Sequence, residues 1–279
     1  WVPGSLPYNG VSTIGGPASM GNTQSIRHLV ADKTHSIIGA TPGGLVLLQD
    51  PAPSARELDN QAVRIISNAD GLSNLDLSSV YYQEPPEGSV VHRWWASTAA
   101  GLSVYRSDGF VLNMHPTDQE GGPRGQLSQI AIGQGSVWVG SDLGLNRLTG
   151  VLALEPGDGG DPDDPDVPVE PVEPEWTLLE AEILGEATVR ALWLDDLERL
   201  WVVTPTGLVR IVDGEVEIRF AGLPDQVGEY LGIKPTQGDQ VMILAEGGVI
   251  LLEADMVVPG GVYEGFRAQD LAVSDSEAY

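Results

Sequence analysis

The chain has 279 residues, of which 42% are hydrophobic, so it is long enough and apolar enough to build a sizeable core. Forty acidic residues against 14 basic ones give a formal net charge of −26, which argues against nucleic acid and anionic membrane surfaces as partners. Cysteine is absent, which excludes disulfides, thiol catalysis and cysteine-ligated metals. No run of about 18 apolar residues occurs, so we expect no membrane insertion.

The chain begins with WVPGS, and Trp1 reads as part of a β-strand rather than as the start of a leader. A leader that has been removed is one explanation, and it favours an extracytoplasmic location, meaning periplasmic, cell-surface or secreted.

Five stretches share one pattern: an apolar run, a small or polar turn, a glycine followed by an aliphatic residue, and a second apolar run. This pattern is typical of a β-hairpin. The hairpins are SIIGATPGGLVLL (36–48), RWWASTAAGLSVY (93–105), SVWVGSDLGLNRL (136–148), RLWVVTPTGLVRI (199–211) and QVMILAEGGVILL (240–252). One position of the first run, here called the slot, is held by Ile38, Trp95, Trp138, Trp201 and Met242.

A short apolar run precedes each hairpin, and a weaker one follows it, as in EVEIRF (215–220). The preceding runs are SIRHLV (25–30), LSSVYY (77–82), LSQIAI (127–132), TVRALW (188–193) and, more weakly, YLGI (230–233). Repeats of four short antiparallel strands are typical of the blades of a β-propeller. The sequence therefore predicts an all-β fold that forms a single domain over residues 1–279.

The repeat resembles the propeller repeat of two-component regulators, in which a tryptophan-containing strand ends in Gly-Thr and a following Gly-Leu opens the next strand. SVWVGSDLGLNRLTG (136–150) and RLWVVTPTGLVRIVDG (199–214) are close matches. The fifth hairpin departs most, with Met242 and Ala245 in place of Trp and Thr. The resemblance covers most of the chain. It implies a propeller that serves as an extracytoplasmic sensor region or as a scaffold for partner proteins, and it implies little about chemistry.

The two ends of the chain read as halves of one more hairpin. DSEAY (275–279) followed by WVPG (1–4) aligns with LERLWVVTP (197–205), which puts Tyr279 in the slot. The hairpin glycines are residues 10, 44, 101, 144, 207 and 248. If the two chain ends are joined, the number of residues from Gly248 to Gly10 equals the number from Gly207 to Gly248. We expect a closed six-bladed propeller whose last blade is shared by both termini, which leaves no open sheet edge. A window cut from a longer repeat array is the alternative.

One long step between hairpins contains EPGDGGDPDDPDVPVEPVEPE (155–175), whose acidic and proline-rich composition predicts an exposed inserted loop. Its carboxylates suggest Ca²⁺, but the spacing D-x-[DN]-x-[DN]-G is absent. We expect a solvated linker and no cofactor, with a weak Ca²⁺ site as the alternative. Trp176, at the end of this segment, is expected to be exposed.

Motifs for catalysis and metal binding are missing from the sequence. The four histidines are scattered, and no G-x-S-x-G elbow occurs. We therefore predict no catalytic and no metal-ligating residue.

One set of polar residues recurs on the first strands of the blades. When these strands are aligned on their last apolar residue, a polar residue stands three positions earlier in most of them. The set comprises Arg27, Ser79, Gln129, Arg190 and Asp270. Because first strands line the channel of a propeller, we expect a polar ring near one mouth that could bind a carboxylate, phosphate or sugar. The alternative is a solvated channel in which Arg27 pairs with Asp270.

The sequence thus favours a non-enzymatic module that binds a protein partner or a small anionic or carbohydrate ligand, as a sensor or scaffold domain of a larger bacterial protein. A propeller enzyme, such as a polysaccharide lyase or lactonase, is a second hypothesis. Its only catalytic material would be Arg27, His28, Arg190 and Tyr81 or Tyr82. An architectural subunit of a surface assembly is a third hypothesis, and the sequence does not indicate an oligomeric state.

Overall fold

The described part of the chain folds into five four-stranded antiparallel sheets, so the predicted all-β class is confirmed. The structure is a computed structural model. It describes residues 26–31, 37–49, 62–85, 91–98, 101–107, 109, 111–115, 123–133, 135–150, 175–179, 184–195, 197–221, 224–236, 240–253 and 256–265. The chain divides into two compact units, Trp1–His115 with sheets 1 and 2, and Pro116–Tyr279 with sheets 3 to 5. The single domain over 1–279 stays a prediction.

In the first unit the strands of each sheet are neighbours in the order in which they occur along the chain. Sheet 1 consists of β1 (His28–Ala31), β2 (Ile37–Thr41), β3 (Gly44–Gln49) and β4 (Ala62–Ile66). A short 3₁₀ helix (Asn68–Asp70) precedes sheet 2. Sheet 2 consists of β5 (Leu77–Gln83), β6 (Arg93–Thr98), β7 (Gly101–Arg106) and β8 (Val111–Met114).

The second unit repeats this order in three sheets. Sheet 3 consists of β9 (Leu127–Gly133), β10 (Ser136–Ser141), β11 (Leu145–Thr149) and β12 (Glu175–Leu179). Sheet 4 consists of β13 (Ala191–Leu194), β14 (Leu200–Val203), β15 (Gly207–Val212) and β16 (Glu215–Ala221). A single helical turn, α1 (Pro224–Val227), precedes sheet 5, which consists of β17 (Tyr230–Pro235), β18 (Gln240–Ala245), β19 (Gly248–Glu253) and β20 (Met256–Glu264).

All five predicted hairpins are present, and the differences lie at strand ends. Glu175, predicted to end the acidic loop, is the first residue of β12. Trp176 pairs with Leu148 on β11 and is partly buried rather than exposed, because the residues after the acidic segment form the outer strand of sheet 3. Residues 155–174, Asp270 and both chain ends lie outside the described residues, so the predictions made for them stay predictions.

A glycine follows each hairpin turn because the fourth strand leaves no room for a side chain. Gly44, Gly101 and Gly144 have φ angles of 117°, 131° and 140°, a region that favours glycine. A Cβ atom on Gly144 would collide with the backbone carbonyl oxygen of Leu179 on β12, and the other two glycines stand in the same relation to β4 and β8. The glycine of the repeat is therefore the point where the outer strand docks on the hairpin.

The residue three positions before this glycine closes the turn. In four hairpins its hydroxyl donates to the glycine carbonyl oxygen, at 2.7 Å in Thr41, 3.1 Å in Thr98, 3.0 Å in Ser141 and 3.2 Å in Thr204. Ala245 holds this position in sheet 5 and has no hydroxyl. This explains why a small hydroxylated residue belongs to the repeat, and what the fifth hairpin lacks.

Consecutive sheets pack face to face within each unit. The slot face of one sheet meets the opposite face of the next sheet along the chain. The slot residues Ile38, Trp138 and Trp201 are fully buried and share apolar clusters with Val80, Leu192 and Ile233 of the following sheets, respectively. Burial of one such side chain contributes about 1.5–3 kcal/mol, so the slot is a main source of stability.

Candidate functional site

Arg27 and Arg190 hold equivalent positions, directly before the first strands of sheets 1 and 4. Their backbone N–H groups donate to the carbonyl oxygens of Ala40 and Val203, each four residues before the hairpin glycine. Both arginines therefore lie at the edge of the sheet where the hairpin turns lie. Asp270, the last member of the predicted ring, is outside the described residues.

Ser79 and Gln129 are one position out of register with the two arginines. The strand pairing places the slot residues of sheets 2 and 3 opposite Tyr81 and Ala131, each one residue before the apolar residue used to align these strands. The predicted alignment is therefore wrong by one residue in β5 and β9. Because side chains alternate faces along a strand, this shift moves both residues to the other face of their sheets.

Arg27 contacts the start of the next sheet. One guanidinium nitrogen lies 2.9 Å from Oδ1 of Asp76, and the other donates to the carbonyl oxygen of Leu77 at 3.2 Å. The two charged side chains are 40% and 54% exposed. Arg27 therefore has a carboxylate partner inside its own unit, which differs from the alternative in which it pairs with Asp270.

Arg190 repeats this arrangement in the second unit. Its Nη2 atom lies 2.9 Å from Oε2 of Glu229, the residue directly before β17 of sheet 5. The hydroxyl of Ser128 makes a neutral version of the contact, donating to the carbonyl oxygen of Val189 at 3.2 Å. In each case a polar residue near the start of one sheet contacts the segment that leads into the next.

The other two predicted residues differ from each other. Oε1 of Gln129 accepts a hydrogen bond at 3.0 Å from the backbone N–H of Leu192, so Gln129 also joins one sheet to the next. Ser79 is 1% exposed, and its hydroxyl has no hydrogen-bond partner among the described residues. Sequence position alone did not distinguish a half-exposed arginine from a buried serine.

The chemistry open to these groups follows from their partners. A guanidinium carries five N–H donors, so each arginine can hold its carboxylate and still donate to a ligand. An anionic ligand must compete with the carboxylate already present. A neutral polyhydroxylated ligand can donate to the carboxylate and accept from the guanidinium at the same time.

Removal of either exposed arginine is expected to have a small effect on stability. Arg27→Ala and Arg190→Ala should each lower the free energy of unfolding by no more than about 1 kcal/mol, since exposed ion pairs contribute about 0–1 kcal/mol. Urea unfolding followed by tryptophan fluorescence measures this. Arg210→Ala is the matched comparison, because Arg210 is 11% exposed, pairs with Glu217 and covers the Trp201 ring. A loss at Arg27 as large as that at Arg210 would contradict the assignment.

His28 and Tyr82, two of the candidate catalytic groups of the enzyme hypothesis, lie on packed faces of their sheets, as expected from the repeat. Nδ1 of His28 accepts from the backbone N–H of Val80 at 3.4 Å. The Tyr82 hydroxyl lies 2.8 Å from Nδ1 of His92, and the two rings stack with centroids 5.9 Å apart. Tyr82 also packs against the cluster between sheets 1 and 2.

A buried charge cluster centres on Asp195, which no sequence motif singled out. Its Oδ2 atom accepts from Nε of Arg199 at 2.6 Å and from the indole N–H of Trp201 at 3.0 Å. Its Oδ1 atom accepts from the backbone N–H groups of Leu197 and Arg199 at 3.0 Å and 2.8 Å. These bonds order the turn between β13 and β14.

Two opposed effects act on the Asp195 carboxyl, which is 7% exposed. Burial raises its pKa, but the hydrogen bonds from Trp201 and Arg199, together with the charge of Arg199, outweigh burial and hold the pKa below its usual value. The ionised carboxylate is thus a structural element of sheet 4.

Arginines also cover two of the slot tryptophans, Trp138 and Trp201. The guanidinium carbon of Arg147 lies 4.9 Å from the ring centroid of Trp138, and that of Arg210 lies 5.1 Å from Trp201. Cation–π contacts of this kind contribute about 0.5–2 kcal/mol. In the second unit, some of the few basic residues therefore stabilise the packing of the sheets.

Within the described ranges, no group of three or more His, Asp or Glu side chains is placed to hold a metal ion. Nor does that part of the chain contain a helix long and apolar enough to cross a membrane. The acidic segment 155–174, for which weak Ca²⁺ binding was the alternative, is not described.

Comparison with solved structures identifies the fold. The chain is similar to PorZ, a surface component of the type-IX secretion system of Porphyromonas gingivalis, with a TM-score of 0.52 and 16% identity over 84% of this chain and 27% of that one. It is similar to the WD40 propeller domain of Doa1, with a TM-score of 0.55 and 12% identity over 88% and 70% of the two chains. Streptogramin B lyase has the same TM-score, 0.55, at 12% identity over 86% and 68%. The fold is that of a β-propeller.

No family model matches the chain, and no curated protein sequence matches it. The structural similarities occur at 12–16% identity, so they show the shared fold and do not transfer an activity. The chain spans about a quarter of PorZ.

Proposed function

We propose that this propeller is a non-enzymatic module that binds a protein partner or a small ligand. The observation that supports this most is that the polar groups of the predicted ring make contacts between neighbouring sheets. Arg27, Gln129 and Arg190 each contact the following sheet. A frame whose few arginines already contact its own sheets suits recognition by surface and loops better than catalysis.

The charge of the chain narrows the partner. A net charge of −26 attracts basic protein surfaces and repels anions over distances near the Debye length. Among small ligands, a neutral carbohydrate fits the pair of Arg27 and Asp76 better than an anion does, because an anion competes with the carboxylate for the guanidinium and is repelled by its charge. We therefore rank a basic protein partner first and a neutral carbohydrate second.

We further propose that the propeller has six blades and that both termini share the sixth. The step from Gly248 round to Gly10, which equals the step from Gly207 to Gly248, supports this. The chain has no cysteine, so a variant with Trp1→Cys and Tyr279→Cys carries only the introduced thiols. Intramolecular cross-linking by a short bifunctional maleimide is expected. Its failure, with both thiols reactive, would leave the open repeat array.

We also propose an extracytoplasmic location, as part of a larger bacterial protein. The likeness of its fold to that of PorZ, a bacterial surface component, supports this location. Protease treatment of intact cells that express the full-length parent protein tests this. Protection of the propeller both in intact cells and in spheroplasts, whose periplasm is open to the protease, with cleavage only after lysis, would place it in the cytoplasm instead.

The function itself is tested by a binding screen of the purified chain. Biolayer interferometry against basic and acidic peptide libraries, and a glycan array with neutral and acidic sugars, are run with and without Ca²⁺. Binding to basic peptides that weakens with rising salt is expected.

The control variants separate the two ligand classes. Arg27→Ala and Arg190→Ala should leave peptide binding unchanged and abolish carbohydrate binding, if the arginines form the ligand site. Turnover of a polysaccharide or lactone in the same preparations would overturn the proposal in favour of the enzyme hypothesis. Absence of any binding would leave only the architectural role.

A further inference from the structure

One face of sheet 1 is apolar and exposed. Leu29 on β1 is 53% exposed and Ile37 on β2 is 45% exposed, and Ile26, just before β1, is 53% exposed. Leu29 pairs with Gly39, and any Cβ atom on Gly39 would already touch Leu29 and Ile26. The three side chains therefore form a contiguous apolar patch, here called the open face.

The same face is buried in every other described sheet. Strand pairing makes Leu29 equivalent to Val80, Ile130, Leu192 and Ile233, none of which exceeds 8% exposure. It makes Ile37 equivalent to Trp94, Val137, Leu200 and Val241, none of which exceeds 6%. Exposure of about half a side chain at both positions is thus particular to sheet 1.

What covers this face is known for three sheets. In sheets 2, 4 and 5 it packs against the slot face of the preceding sheet, in clusters that contain Ile38, Trp138 and Trp201. Sheet 1 is the first described sheet of the whole chain, so no described sheet precedes it. A slot face supplied by residues before β1 would complete the pattern.

We propose that the open face is the docking surface of the chain's own residues 1–14. This inference deepens the proposed sixth blade, to which the segment contributes. Gly10 and Val11 repeat the glycine and aliphatic residue of the hairpins. In the alignment with sheet 4, Val2 and Val11 correspond to Val203 and Leu208, both buried against sheet 5.

Composition supports the same occupant. Residues 1–14, WVPGSLPYNGVSTI, contain no acidic or basic side chain, although the chain has 54 of them, 40 acidic and 14 basic. Burial of a charged segment on an apolar face would be unfavourable, whereas an uncharged one with several apolar residues gains from it.

Hydroxyl-radical footprinting of the full chain tests the coverage. Leu29 and Ile37 are expected to oxidise at the low rate of Leu200, which is fully buried, and not at the high rate of Leu197, which is 67% exposed. Labelling of Leu29 and Ile37 at the rate of Leu197 would overturn the proposal.

The occupant is tested in full-length variants. Val11→Asp is expected to raise the labelling of Leu29 and Ile37 several-fold, whereas Ser5→Asp, which adds the same charge in the predicted turn of the segment, should leave it unchanged. Equal effects of the two substitutions, or none, would contradict the assignment.

A second test does not depend on stability. With cysteines placed at Val11 and Leu29, a short bifunctional maleimide should link them within one molecule. Links between two molecules would show that a second copy covers the face, and no link would show another occupant; either result overturns the proposal. Both leave the partner-binding screen unaffected, so failure here is distinct from failure of the proposed function.

Discussion

Gly144→Ala is expected to lower the free energy of unfolding by about 2–6 kcal/mol. The residue has φ 140°, where an alanine is strained by about 1–3 kcal/mol. The added Cβ would also collide with the carbonyl oxygen of Leu179, so β12 must move away from the hairpin, which costs about 1–3 kcal/mol more. Urea unfolding monitored by tryptophan fluorescence gives the difference.

Gly135→Ala is the matched control. Gly135 also has a positive φ, 65°, but nothing lies within 4 Å of its Cβ position. Only the backbone strain remains there, and a loss of about 1 kcal/mol is expected. If the two variants lost equal stability, the contact with the outer strand would have no energetic role.

Asp195→Ala is expected to cost about 3–5 kcal/mol, because it leaves the partly buried Arg199 and the indole N–H of Trp201 without their acceptor. Asp195→Asn keeps the shape and one acceptor oxygen but removes the charge, so it should cost less than Asp195→Ala. A cost below about 1 kcal/mol for Asp195→Ala would show that the cluster does not stabilise the blade.

The pH dependence of this effect has a defined sign. The folded-state pKa of Asp195 lies below its ordinary value, so its contribution to stability is fully present above the unfolded pKa, which is about 3.9 for Asp. It is lost as the pH falls from there through the folded pKa. The stability difference between the wild type and Asp195→Ala should therefore be constant near pH 7 and shrink below about pH 4.

The strands and hairpins were predictable because their signals are local. A glycine followed by an aliphatic residue, six positions after the slot, marks a turn within a stretch of some dozen residues, and all five such stretches form hairpins. The slot tryptophans Trp138 and Trp201 are fully buried, as their recurrence indicated. Periodicity read over one strand pair needs no knowledge of distant contacts.

Ladder position was not predictable in the same way. The alignment used the last apolar residue of each first strand, and the strands differ in how far their apolar runs extend. Tyr82 and Ile132 therefore looked equivalent to Val30. The strand pairing shows that Tyr81 and Ala131 are the equivalent residues. A shift of one residue exchanges the two faces of a strand, and this placed Ser79 in a ring with arginines.

Partners from other sheets were also hidden from the sequence. Asp76 and Glu229 lie far along the chain from the arginines that they pair with. The acceptor for the slot indole differs between blades as well: Asp195 serves Trp201, but the equivalent position in sheet 3 is Gly133. The indole N–H of Trp138 accordingly has no hydrogen-bond partner among the described residues.

The docking of each outer strand on the hairpin glycine has a consequence for how this protein can change. The outer strand is positioned by that contact and by its ladder, so the connection before it need not be short. It runs from Val212 to Glu215 in sheet 4 but from Thr149 to Glu175 in sheet 3. Each doubling of such a connection costs only about 0.6 kcal/mol. The connection between the third and fourth strands of a blade can therefore accept inserted sequence, or a fused domain, without a change in the rest of the blade.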